Sequence, residues 1–89
     1  DMTNMLTLLK ISHGDYSIVQ IKVDVQSAAV NKSIKELNIP EKAVLIAMYR
    51  GKDVIIPRGN TVIQGGDDII TFADDESKGK ISALFGATW

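Results

Sequence analysis

The chain contains no cysteine, one histidine, two prolines and two arginines. Without cysteine, neither a disulfide framework nor a Cys-based zinc site can form, and packing alone must hold the fold, as a reducing cytoplasm allows. The single histidine, His13, falls in a turn beside Gly14. One imidazole makes neither a metal site nor a catalytic triad, so it reads as a solvated turn residue. For the same reason Ser12, Ser17, Ser27, Ser33, Ser77 and Ser82 have no base network to activate them, and an enzyme is not expected. Charge of one sign is also missing. Ten basic and eleven acidic side chains leave a net charge of −1, without the basic field that nucleic-acid binding requires. The longest near-continuous apolar run, residues 43–49, is seven residues. A membrane-spanning helix needs about 18 to 20. No signal peptide is visible, and the start on Asp1 without an initiator Met points to a piece of something longer.

What the chain does have is 89 residues, 45% of them apolar, which suits one small domain. A domain of that size buries only about 60 to 65% of its unfolded surface. Residues 6–11 are apolar except for Thr7 and Lys10 and are followed by the turn formers Ser12-His13-Gly14-Asp15, so a hairpin is expected over residues 1–26. In its second arm Val19, Ile21, Val23 and Val25 alternate with Gln20, Lys22 and Asp24, which turns the odd positions inward. Residues 27–42 read as connections around one short helix. Ser33-Ile34-Lys35-Glu36 fits a capping box, Ile34 and Leu37 would share the buried face, and Pro40 stops the helix. Asn31 suits a left-handed position.

Residues 43–75 carry the central strands. Val44-Leu45-Ile46-Ala47-Met48-Tyr49 is apolar throughout, so a strand here is expected to bury both faces. Arg50-Gly51-Lys52-Asp53 is a tight reversal with Gly51 at a positive φ, and Val54-Ile55-Ile56 returns until Pro57 ends the strand. Thr61-Val62-Ile63 is a short extended piece, residues 65–68 turn, and residues 69–73 form the last strand. A closing helix over residues 75–86 follows, with Asp74, Asp75 and Glu76 at its positive end and Asp75 as the expected cap. Ile81, Leu84 and Phe85 would form its buried stripe, Gly86 would cap it, and Trp89 would lie in a tail. The whole reads as a single α+β domain: a small mixed or antiparallel β-sheet of about five or six strands with two short helices packed on one face.

The order of these pieces resembles the TrkA C-terminal domain, the C-terminal part of the regulator of potassium conductance (RCK) modules in cytoplasmic subunits of potassium channels and transporters. The resemblance covers residues 28–85. It rests on Lys-Ser-Ile-Lys-Glu-Leu-Asn-Ile-Pro at residues 32–40, an apolar strand ending in Arg50, and Val-Ile-Ile-Pro-Arg-Gly-Asn-Thr-Val-Ile-Gln-Gly-Gly-Asp at residues 54–67. Asn31, Asn60 and Asp68 depart from the usual pattern, the last by removing a positive charge beside Asp67. The resemblance implies a cytoplasmic, non-catalytic, ligand-sensing and homodimerising module. It would act at the inner face of the membrane through a potassium channel or transporter subunit (Trk/Ktr type). In the family a Rossmann domain precedes this one and binds NAD or ATP, and some members bind cyclic di-AMP at a dimer interface. The Rossmann fingerprint is absent here, so no cofactor is assigned to these residues. The alternative is a purely structural dimerisation module, or the same domain attached to another cation or anion transporter, with no ligand of its own.

The candidate ligand-binding residues lie around the central hairpin. Arg50 can grip a phosphate through two parallel hydrogen bonds, or it can simply pair with Asp53 across the hairpin. Ile46, Val54, Ile55 and Pro57 can wall a nucleobase, or serve as core and subunit contact. Asp67, Asp68, Asp74, Asp75 and Glu76 lack the spacing of a calcium loop, and no metal site is assigned. Turn hydrogen bonding accounts for Asp67. The second apolar side of residues 44–49 has no cover within the chain, which predicts a homodimer.

Overall fold

A computed structural model describes residues 5–86. Trp89 lies outside them. The described residues form one antiparallel sheet with an α-helix on one face. The strands are β1 (Met5–Lys10), β2 (Ser17–Lys22), β3 (Ala43–Arg50), β4 (Asp53–Ile55) and β5 (Asp68–Ala73), and the helix is α1 (Asp75–Phe85). Their order across the sheet is β1-β2-β5-β3-β4. The expected hairpins β1–β2 and β3–β4 both form. The last strand inserts between them, pairing with β2 on one side and β3 on the other.

The turns follow the residue chemistry. Gly14 and Gly51 sit at φ 69° and 61°, and Asn31 takes the left-handed position at φ 71°. Two helices on one face were expected; only α1 is an α-helix, lying across β2 and β5. Residues Ile34–Glu36 make a single turn of 3-10 helix, because Pro40 leaves no room for the turns an α-helix needs. Its start is held as the spacing predicts: the Glu36 carboxylate accepts the Ser33 N–H at 2.7 Å and the Ser33 hydroxyl at 2.9 Å. At α1 the cap is Asp74, not Asp75. Its carboxylate accepts the Ser77 N–H at 2.9 Å, while Asp75 in the first turn pairs with Lys78 at 3.0 Å. Gly86, at φ 77°, closes the other end.

The core lies between α1 and the sheet. Val19, Ile21, Met48, Ile63, Ile69, Ile81 and Phe85 are fully buried there. Val23 continues the inward face of β2, but Val25 is 70% exposed, because the strand ends at Lys22 and the chain turns away. The expectation that residues 44–49 bury both faces does not hold. One helix covers one face, so Ala43 and Met48 are buried while Val44 is 56% exposed. A bulge between Leu45 and Ala47 leaves Ile46 exposed as well. Across the uncovered face run the half-exposed Ile18, Ile70 and Phe72, with Tyr16 stacked on Phe72 at 4.8 Å.

Candidate functional site

The tight β3–β4 hairpin sets the positions of the candidate residues. Residues directly opposite in an antiparallel pair share a face of the sheet. Arg50 opposes Asp53, Tyr49 opposes Val54, and Met48 opposes Ile55. Since Met48 is fully buried in the core, Ile55 and the Arg50–Asp53 pair belong to the core side of the sheet, whereas Val54 and Tyr49 belong to the open side. The hairpin therefore divides the candidate set. Ile46 and Val54 are exposed apolar surface, Ile55 packs against the core, and Pro57 is half-buried just beyond β4.

Arg50 sits at the rim of the core. Its Nε donates to Asp67 Oδ1 and its Nη2 to Asp67 Oδ2, both at 2.9 Å, and Nη2 also reaches the Val62 carbonyl at 2.9 Å. The partner that takes the fork is thus Asp67, 17 residues on, rather than Asp53. Asp53 contributes only a longer-range attraction. Hydrogen bonding to Asp67 holds the guanidinium above its ordinary pKa; burial opposes this, and the charges of Asp67 and Asp53 add to it.

Asp67 is 1% exposed and provides the turn hydrogen bonding expected of it: its Oδ2 accepts the Gln64 N–H at 2.9 Å. The surrounding turn is held by Gly66 at φ 87°, by the Gly66 N–H on the Val23 carbonyl and by the Val23 N–H on the Asp67 carbonyl, both at 2.8 Å. No sequence signal tied Arg50 to Asp67, although a basic residue ending an apolar strand and an acid after a Gly-Gly turn are the two ends of such a bond. Lys22 pairs with Asp68 at 3.1 Å, so the acid next to Asp67 has its own partner.

No group of three or more His, Cys, Asp or Glu that could hold a metal ion occurs among the described residues, and none of their helices is long and apolar enough to cross a membrane. Displacing Asp67 from Arg50 would strand a buried carboxylate, at a cost of about 3–5 kcal/mol. Two bonds to a ligand taking over the fork would do little more than offset that cost. A ligand oxygen on the free Nη1 adds a charge-assisted bond of about 1.5–3 kcal/mol with the pair intact, so a ligand meets Arg50 more favourably away from the fork.

Comparison with known proteins fits this architecture. The chain is 28% identical over 81 residues to a Trk system potassium uptake protein TrkA homolog of Archaeoglobus fulgidus; this covers 91% of the chain but 19% of the relative's length. The RCK_C domain dimer of S. agalactiae BusR in complex with c-di-AMP superposes with a TM-score of 0.67 at 28% identity, over 75% of this chain and 92% of that one. The GsuK RCK domain shares the fold with a TM-score of 0.76 at 18% identity, over 97% of this chain and 19% of that one. The TrkA-C domain family model matches residues 18–86, from the start of β2 to the cap of α1, and the chain belongs to that family of regulatory, non-enzymatic domains.

Proposed function

We propose that this domain is the ligand-sensing and dimerising part of a cytoplasmic regulator of a Trk/Ktr-type potassium uptake or channel system. In this reading it binds cyclic di-AMP between two copies. The observation that carries the reading is an uncovered apolar face on a hairpin whose first strand ends in Arg50. Val44, Ile46 and Val54, at 56%, 42% and 60% exposure, present apolar surface that one chain leaves bare, and Arg50 lies at the end of the same strand. Apolar surface concentrated in this way marks a partner surface. The BusR domain supports the reading, since it is a dimer in complex with c-di-AMP. The TrkA homolog supports the attachment to potassium uptake.

Two copies meeting through the open face of β3 and β4 would bring Ile46 and Val54 together as apolar walls for the bases, with Arg50 at the strand end for a phosphate; Asp53 and Ile55 lie on the core side of the hairpin and Pro57 just beyond β4. The ligand would regulate transport by favouring one dimer geometry over another, since equal affinity for both shifts nothing. A Rossmann domain in the parent protein would transmit the change.

One observation favours a second reading. Asp67 already occupies the fork of Arg50, as in a purely structural dimerisation module. Calorimetry with cyclic di-AMP on wild type and Arg50→Ala separates the two. Heat with the wild type that Arg50→Ala abolishes supports ligand sensing; no heat with either protein leaves the structural module. Light scattering tests the dimer. A clean monomer at high micromolar concentration removes this claim, and Val44→Asp is expected to convert a wild-type dimer to monomer.

A further inference from the structure

A guanidinium carries five N–H bonds in one plane. Three of those of Arg50 are engaged, one from Nε and one from Nη2 on Asp67 and the other from Nη2 on the Val62 carbonyl. The two N–H bonds of Nη1 have no acceptor among the described residues, and the side chain is 31% exposed. Asp67 is itself immobilised, because Oδ2 also accepts the Gln64 N–H and the backbone on either side is bonded to Val23. Arg50 is thus clamped along one edge and open along the other. A free arginine would sweep many rotamers and lose that freedom on binding; this one has already lost it.

From this geometry we infer that Asp67 is a positioning residue for ligand binding. Without touching the ligand, it fixes the plane of Arg50 and leaves only the Nη1 edge for an anionic oxygen. Two consequences follow for the ligand class. A single donor nitrogen suits one non-bridging oxygen of a phosphodiester. The two-pronged grip that favours a phosphate dianion is closed, and Asp67 cancels much of the charge that would attract one. The site therefore prefers a singly charged phosphodiester to a phosphomonoester or inorganic phosphate. This inference rests on the ligand contact at Arg50 proposed above, and its test separates the two.

The test is nuclear magnetic resonance on the 89-residue chain, following the Arg50 Nε and Nη protons during titration with cyclic di-AMP, with dimethyl phosphate and with inorganic phosphate. The expected result is movement of the Nη1 protons by both phosphodiesters, a weaker response to inorganic phosphate, and an Nε–H signal that keeps its Asp67-bonded position. Asp67→Asn is expected to lose about tenfold in affinity for cyclic di-AMP while remaining folded by thermal unfolding. Loss of the Asp67-bonded Nε–H signal on binding would make Asp67 a competitor and overturn the inference while leaving cyclic di-AMP binding intact. Unchanged affinity in folded Asp67→Asn also overturns it. If that variant does not fold, the wild-type titration decides alone. If cyclic di-AMP produces neither heat nor shifts but dimethyl phosphate still moves Nη1, the proposed ligand falls and the positioning role stands. If neither phosphodiester moves Nη1, the inference is wrong.

Discussion

Removing the cation from the Arg50–Asp67 pair should be far more damaging than removing an ordinary surface charge. Asp67 is 1% exposed, and Arg50 supplies both of the forked bonds that compensate its carboxylate. Arg50→Ala leaves that carboxylate with the Gln64 N–H alone. Breaking a buried pair in this way costs about 3–5 kcal/mol, and the partial exposure of Arg50 places the expected loss near the lower end, about 3 kcal/mol. An exposed pair would cost less than about 1 kcal/mol. Adding Asp67→Asn to Arg50→Ala removes the stranded charge, so the double variant should be more stable than the sum of the single losses implies, by at least about 1 kcal/mol. Urea unfolding of the wild type, both single variants and the double variant closes the cycle. A loss below about 1 kcal/mol for Arg50→Ala at neutral pH, or strictly additive variants, would refute the buried-pair account.

The remaining predictions concern other parts of the fold. Thr71 is fully buried with no partner for its hydroxyl among the described residues, so Thr71→Val should leave stability unchanged or raise it by up to about 1 kcal/mol in urea unfolding. Two glycines should respond in opposite directions. A Cβ on Gly65 would lie 2.8 Å from Val25 Cα, and Gly65→Ala should cost about 1–3 kcal/mol. A Cβ on Gly79 in α1 would meet nothing within 4 Å, and Gly79→Ala should stabilise by about 0.5–1 kcal/mol. Bonds from the Ser77 side chain and backbone hold Asp74 below the usual carboxylate range, and bonds from the Ser33 backbone and side chain do the same for Glu36. A depressed folded-state pKa stabilises above the unfolded value, and that stability disappears as pH falls through the folded value. Thermal unfolding of Asp74→Ala and Glu36→Gln should therefore fall below wild type at neutral pH and converge with it below about pH 4.

Local chemistry was legible in the sequence, and distant pairing was not. Gly51, Asn31 and Gly86 announce turns and a cap because backbone sterics act within a few residues, and all three take positive φ. The alternation at Val19, Ile21 and Val23 reports burial directly. Val25 misled because a period-two pattern does not record where the ladder ends. The apolar run at residues 44–49 misled in another way. Composition shows that a strand can bury both faces, but not that the chain provides a helix for only one, nor that a bulge at Ile46 shifts the alternation. The short 3-10 turn and the α1 cap differ from expectation by a turn or a residue, where several acids or helix formers compete for one role. Around the candidate site, Arg50 was identifiable as the notable charge of the hairpin, but its partner was not. Asp53 is near in sequence and opposite in register, whereas Asp67 becomes a neighbour only once β5 has entered the sheet.

That entry has a kinetic consequence. The hairpins β1–β2 and β3–β4 can each close locally, yet neither pairs with the other; both wait for residues 68–73, which bond to each. Until the last strand arrives, the hairpins are two narrow ribbons with apolar faces and unpaired inner edges, the form most open to pairing with the wrong chain. Sheet completion, burial of Asp67 against Arg50 and docking of α1 therefore belong to one late, cooperative step. Substitutions in β5 should slow folding more than equally destabilising ones in β1.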